Sequence, residues 1–304
     1  MAVYVVGDFL RETRLRKGYT QEEVSYGICT PASLSRIENG AQKPGRLILE
    51  KLFERLGTEN NLFNSFVSKE EMELYSEIQT LIRDITDEDV VKIEKQIDVV
   101  EKLAVNTTEL EHQCLYFAKG ELARQKEKDD KKAMEMYMKA IHITLPDFDG
   151  KNPLRNNLLT FDEIMIINAI AILHAKADDI MTAVQLGMWL KKYMEEKIVD
   201  GTMKIAKYPM ILYNLSNWLG RENCHKEALK MADLGIRFCI RYGNLAFFPI
   251  LVFNKGGALA ELGKIDQAKK YLHQSVTIFE AMDRPDLIQV ATDWCKLHYR
   301  IDIQ

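Results

Sequence analysis

The chain has 304 residues, 47% hydrophobic and 28% charged, with a formal net charge of −4. That length suits two domains better than one, and the apolar content supports a sizeable core, which excludes a disordered chain. A small acidic excess excludes a nucleic-acid coat over the whole protein and a polybasic membrane patch.

The first segment differs from the rest in charge. Residues 1–60 hold nine Lys/Arg against eight Asp/Glu, about +1, and the remainder carries about −5. This mild asymmetry permits contact with DNA only at the N-terminal end. The opening "MAVYVVGDFLRETR" places Asp8 and Glu12 too early for a secretory signal. Thr20 with Glu23 makes T-x-x-E, a capping box that starts a helix at Gln21. Thr30 before Pro31 starts the next helix in the same way. Val24, Ile28, Leu34 and Ile37 are spaced to form a small core between these helices, and Asn39-Gly40 ends the second one. Ile48, Leu49, Leu52, Phe53 and Leu56 then form one stripe of a further helix, stopped by Gly57. The stretch "GTENNLFNSFVSKEEMELY" reads as a turn, a connector and the start of another helix. A domain boundary is expected there, giving 1–66 and 69–304.

Beyond residue 69 the helices are expected in pairs. Ala133, Ala183, Ala228 and Ala268 each open the second helix of a pair, at separations of 50, 45 and 40 residues. The tetratricopeptide period is about 34, so the array is longer and less regular than the ideal. Gly256, Leu272 and Ser275 sit around Ala268 at the same offsets as Ser216, Ala232 and Gly235 around Ala228. Small residues at such offsets let two helices cross closely. The expected fold is all-α: a helix-turn-helix domain followed by a tetratricopeptide-like solenoid, closed by a cap in "RPDLIQVATDWCKLHYRIDIQ" with Pro285 at a first helical position.

"RETRLRKGYTQEEVSYGICTPASLSRIENGAQKPG" resembles the lambda-repressor-like helix-turn-helix family over residues 6–60. The resemblance implies that Arg14 and Glu38 form a buried structural salt bridge. It implies that Gln21 contacts phosphate and that Ala32, Ser33 and Arg36 face the bases. The Arg36 fork also suits guanine O6 and N7 chemically. Lys43, in the loop after the recognition helix, and Arg11 or Lys17 are either ionic contacts or solvated surface charges. Only one basic residue lies within "ICTPASLSRIENG". In this family, backbone N–H groups and short polar side chains hold the phosphates, so few lysines are needed.

A lambda-type reader fused to a tetratricopeptide-like array resembles the peptide-sensing RRNPP regulators of low-GC Gram-positive bacteria. "GICTPASLSRIENG" is most similar to their PlcR branch. This implies an intracellular receptor for a short imported signalling peptide, bound by asparagines on the first helices of successive repeats. Asn214 and Asn254 both lie fourteen residues before a repeat alanine, Asn168 lies fifteen before, and Asn217 is one turn after Asn214. An asparagine amide donates and accepts, so it can pair with any peptide unit. The alternative for each is a local bond within its own helices. Tyr213 and Phe253 are expected either to line side-chain pockets or to serve as core.

No catalytic, cofactor or metal site is expected. "GGALAELGK" lacks the spacing and the hydroxyl of a phosphate loop, and the six histidines show no ligand spacing. The five cysteines are scattered and read as reduced thiols, each a small core hydrophobe. The expected protein is a cytoplasmic homodimer that binds paired half-sites of double-stranded DNA and a short peptide, with no membrane partner. The rival reading is a helix-turn-helix repressor whose repeats recruit a protein or only oligomerise.

Overall fold

The computed structural model describes residues 6–58, 69–86, 89–104, 109–154, 158–197, 201–301 and 303. The expected boundary between residues 66 and 69 lies at the edge of this description, in and beside the undescribed stretch 59–68. The described residues form helices with no strand among them. They divide into two compact units, and the division falls inside one helix, between Leu173 and His174.

The first unit begins with four short helices: α1 (Val6–Arg16), α2 (Gln21–Ser25), α3 (Pro31–Glu38) and α4 (Arg46–Arg55). Thr20 completes both halves of its capping box with Glu23, and Thr30 accepts from the Ser33 N–H with Pro31 behind it. Gly40 takes the left-handed backbone that ends α3. Val24, Ile28, Leu34 and Ile37 are all buried, together with Leu49, Leu52 and Phe53 from α4 and Leu56 just after it.

This core does not stop at α4. Leu110 and Leu158, from the helical array that follows, belong to the same cluster as Leu10, Val24, Leu34 and Phe53. The array itself begins with α5 (Lys69–Thr86), α6 (Val90–Leu103), α7 (Glu109–Leu122), α8 (Asp130–Thr144) and α9 (Phe161–Lys176). A π-helical turn, Ala123–Glu127, prolongs α7.

The polar side of α4 meets the start of α9. Arg55 Nη2 lies 2.8 Å from Glu163 Oε1, and both side chains are fully buried. Lys51 Nζ lies 2.9 Å from Asp162 and 3.1 Å from Glu54, whose other oxygen accepts the Phe161 N–H at 2.9 Å. Burial opposes the charge on Lys51, but Asp162, Glu54 and Glu50 outweigh it and keep the ammonium pKa above its ordinary value. Burial drives the Glu54 pKa up as well, to about 7, with Lys51 only partly compensating. Close approach finishes the joint. Gly27, at φ +69°, lies so near α8 that an added Cβ would stand 2.0 Å from the Thr144 carbonyl oxygen. Only glycine fits there.

The second unit holds α10 (Ile180–Glu196), α11 (Gly201–Arg221), α12 (His225–Tyr242), α13 (Phe248–Glu261), α14 (Ile265–Ala281) and α15 (Pro285–Trp294), the last prolonged by a π-helical turn, Cys295–Tyr299. Small residues let these helices approach. Cβ atoms added at Gly235 and Gly256 would fall within 2.7 Å of Leu251 and Leu272 side chains. Ser216 and Ser275 turn their hydroxyls onto backbone carbonyls of Ala228 and Pro249, at 3.0 and 2.8 Å. Ala228 and Ala268 are almost completely buried, as are Ala133 and Ala183 in α8 and α10. Pro285 opens the expected cap, whose tail buries Ile301 and Ile303 against α13 to α15. All five cysteines are free, but Cys224 is exposed just before α12 and is no core hydrophobe.

Candidate functional site

On the N-terminal helices, the implied Arg14–Glu38 bridge is present. Nε and Nη2 of Arg14 reach the two Glu38 oxygens at 2.7 and 2.8 Å, with Glu38 1% exposed. Its hydrogen bond to Glu38 keeps the Arg14 pKa above the ordinary arginine value. Gln21 joins this pair by donating to Glu38 Oε2 at 2.7 Å. Arg11, Arg14, Gln21, Ser35, Glu38 and Asn39 thus border one shallow concavity beside α3.

Along α3, Ala32 and Arg36 are exposed, Ser33 is half-buried, and Lys43 is exposed in the following loop. Arg36 does not hang free. Its Nε donates to Gln42 Oε1 at 3.0 Å and its Nη2 to Ser33 Oγ at 3.1 Å. Sequence reasoning passed over Gln42, since its role depends on a loop that folds back over α3. Lys17 is half-buried and donates to the carbonyls of Leu56 and Gly57, so it closes the end of α4 instead of facing outward.

The second unit contains a groove of about 530 Å3, within the usual size of ligand pockets. Tyr213, Asn217, Gly220 and Arg221 line it from α11, and Ile250, Phe253, Asn254, Gly257 and Glu261 from α13. These spacings of three and four put each set on one helix face. The wall opposite is apolar: Leu287, Val290 and Trp294 of α15, with Phe279 of α14. Asn254 donates to the Tyr213 carbonyl at 3.3 Å, which ties α13 to α11 across the groove floor. Asn217 is exposed. Arg221 donates to the Ala175 carbonyl at 2.8 Å and to Asp178 at 3.2 Å, so one end of the groove is charged.

Four of the six residues predicted to meet a ligand therefore line one groove: Tyr213, Asn217, Phe253 and Asn254. Asn214 and Asn168 do not. Asn214 is 7% exposed within α11, and Asn168 is 4% exposed in α9 of the first unit. Equal offsets from the repeat alanines did not give equal exposure, because the buried Leu215, Trp218 and Leu219 set which side of α11 faces inward and take Asn214 with them. Gly220, Arg221 and Trp294 were not anticipated. The same-face spacing from Tyr213 points to the first two; Trp294 belongs to the cap, which carries no such register. No group of side chains able to hold a metal ion occurs among the described residues. Nor is any described helix long and apolar enough to cross a membrane.

A capped helix-turn-helix with an open recognition helix defines a class, the helix-turn-helix regulators of transcription. A helix-turn-helix domain family model matches residues 5–66. Over 63 residues the chain is 38% identical to YqaF, an uncharacterized HTH-type transcriptional regulator of Bacillus subtilis, covering 83% of that protein and 20% of this chain. The chain belongs to this family. Its whole fold is similar to that of PlcR from Bacillus thuringiensis in complex with the peptide PapR7 and DNA, with a TM-score of 0.60 at 18% identity, covering 95% of this chain and 99% of that one. The apo form of PlcR gives 0.57 at 17% identity over 95% and 98%. The apo competence regulator ComR from Streptococcus vestibularis gives 0.51 at 14% identity over 96% and 97%. The resemblance read from the sequence holds for the fold.

Proposed function

We propose that this transcription regulator responds to a short signalling peptide seated in the groove of its second unit, and that it works in the cytoplasm as a homodimer on paired DNA half-sites. The observation that carries the reading is the groove itself. Two amide side chains, Asn217 and Asn254, come from α11 and α13 and share its lining with Tyr213, Phe253 and an apolar wall. Amides suit a peptide backbone, and the aromatic and aliphatic walls suit apolar side chains. The similarity in fold to PlcR, whose crystals hold both a peptide and DNA, supports the same pair of ligands here. Peptide contact is assigned to Tyr213, Asn217, Phe253 and Asn254. DNA contact is assigned to Gln21, Ala32, Ser33, Arg36 and Lys43, within a reading segment of residues 1–66; residues 69–304 form the sensing array.

Affinity selection of a synthetic library of short peptides on the full chain, read by mass spectrometry, tests the groove. A Cβ at Gly220 meets nothing within 4 Å, so Gly220→Phe plugs the groove while the helix stands. Wild type should retain a set of apolar peptides that Gly220→Phe loses. Equal retention by both, or none by wild type, would count against the groove as a peptide site.

A further inference from the structure

We infer that Gln42 is a positioning residue for base reading: with Ser33 it locks the Arg36 guanidinium so that each half-site is read for guanine. This rests on the DNA-reading role proposed for Arg36. A guanidinium has five N–H bonds, and pairs of them form two usable edges. One edge combines Nε with Nη2; the other combines Nη1 with Nη2. In this chain the first edge is already taken, Nε by Gln42 Oε1 at 3.0 Å and Nη2 by Ser33 Oγ at 3.1 Å. Nη1 and the second Nη2 hydrogen are left to point outward together. Two parallel donors match O6 and N7 of guanine, whereas adenine offers N7 beside a donor and cannot accept both.

The lock is built into the backbone. Past the end of α3, the N–H groups of Ala41 and Gln42 both return to the Arg36 carbonyl, at 2.8 and 3.1 Å. The Gln42 side chain therefore starts one short loop away from the guanidinium it holds. Ser33 is fixed as well, since its Oγ also accepts from Thr30, the residue that caps α3. An exposed arginine ordinarily loses much rotamer freedom on binding. Here that ordering is made before DNA arrives, which favours the one base whose acceptors fit the free edge.

Two variants separate positioning from direct contact. Gln42→Ala removes the acceptor. Gln42→Glu keeps an acceptor for Arg36 but loses both amide hydrogens and adds a negative charge. The probe is a pool of duplex DNA with a randomised core, selected on the full-length protein and sequenced, with thermal unfolding run beside it. Wild type should enrich sequences with one strongly preferred guanine in each half-site. Gln42→Ala should lower that preference by about 2–10-fold, as expected for one net hydrogen bond, with an unchanged melting temperature. Gln42→Glu should keep the preference while binding all sequences more weakly. Loss of the preference in both variants would make Gln42 a direct base reader and overturn the positioning role. An undiminished preference in Gln42→Ala, or enrichment of a base other than guanine at that position, would overturn it too. A wild type that enriches no sequence would overturn the DNA-reading proposal and this inference together.

Discussion

The joint between α4 and α9 in the first unit and the packing of α11 to α14 in the second solve the same problem with opposite chemistry. Both bring helices into close contact. The joint does so with buried charge, Arg55 on Glu163 and Lys51 between Asp162 and Glu54. The α11–α14 stack does so with small residues, Gly235 and Gly256 receiving leucines and Ser216 and Ser275 donating to carbonyls of the neighbouring helix. Buried ion pairs add little net stability but penalise any arrangement that leaves one partner alone. They suit a contact that must have one geometry, such as the seat of a DNA-reading head. Small-residue packing lets helices touch closely on one side and keeps another face free, and on α11 and α13 the free face lines the groove.

The largest expected effect comes from breaking the charged joint on one side. Glu163→Ala leaves the buried Arg55 charge without its carboxylate and should cost about 3–5 kcal/mol, seen as early unfolding of the first unit by hydrogen exchange. Replacing both Arg55 and Glu163 by leucine should recover most of that loss. A single variant as stable as wild type would mean that the joint is hydrated in solution.

Breaking the other kind of contact should cost less. Gly256→Ala puts a methyl within 2.7 Å of the Leu272 side chain and 3.1 Å of its backbone nitrogen. Overpacking of this kind costs about 1–3 kcal/mol. Here exchange should accelerate in α13 and α14 while α4 and α9 keep their protection. Uniform acceleration across the chain would erase the distinction between the two regions.

A third effect concerns pH and sharpens the contrast, because the titrating carboxylate, Glu54, lies in the joint. Glu54 is raised to about 7 by burial, well above an unfolded glutamate. Between the unfolded carboxylate range near 4.3 and about 7, the folded state binds the extra proton. Stability from this group therefore falls as pH rises through that window, and the loss is complete above it. Glu54→Gln should flatten that slope in denaturant titrations run across the window. An unaltered slope would assign the pH dependence to other groups.

The two regions also differed in how far the sequence revealed them. Local signals were legible: Thr20 with Glu23, Thr30 with Pro31, the burial of Ala228 and Ala268, and the Pro285 cap all follow from spacings of a few residues. The joint was not. Arg55 and Glu163 are 108 residues apart, and each reads alone as an ordinary surface charge on an amphipathic helix. The groove fell between these cases. Offsets from the repeat alanines located the helices that line it, but placing Asn214 inward needed the rotation of α11 about its own axis. That rotation is set by the packing of Leu215, Trp218 and Leu219, all buried, and leaves Asn217 outside and Asn214 within. Gln42 depended on a loop returning to α3, which no periodicity records.

We propose that occupancy of the second-unit groove governs DNA reading by the first unit. The most direct measurement is the affinity of the full-length protein for its selected duplex, by fluorescence anisotropy, with and without a peptide recovered from the library. Wild type should change its affinity by about 5–150-fold when the peptide is saturating, the usual range of coupling between sites. The plugged variant, Gly220→Phe, should bind the duplex as unliganded wild type does and show no change. An affinity that ignores the peptide in wild type, or a response that survives in Gly220→Phe, would contradict the account.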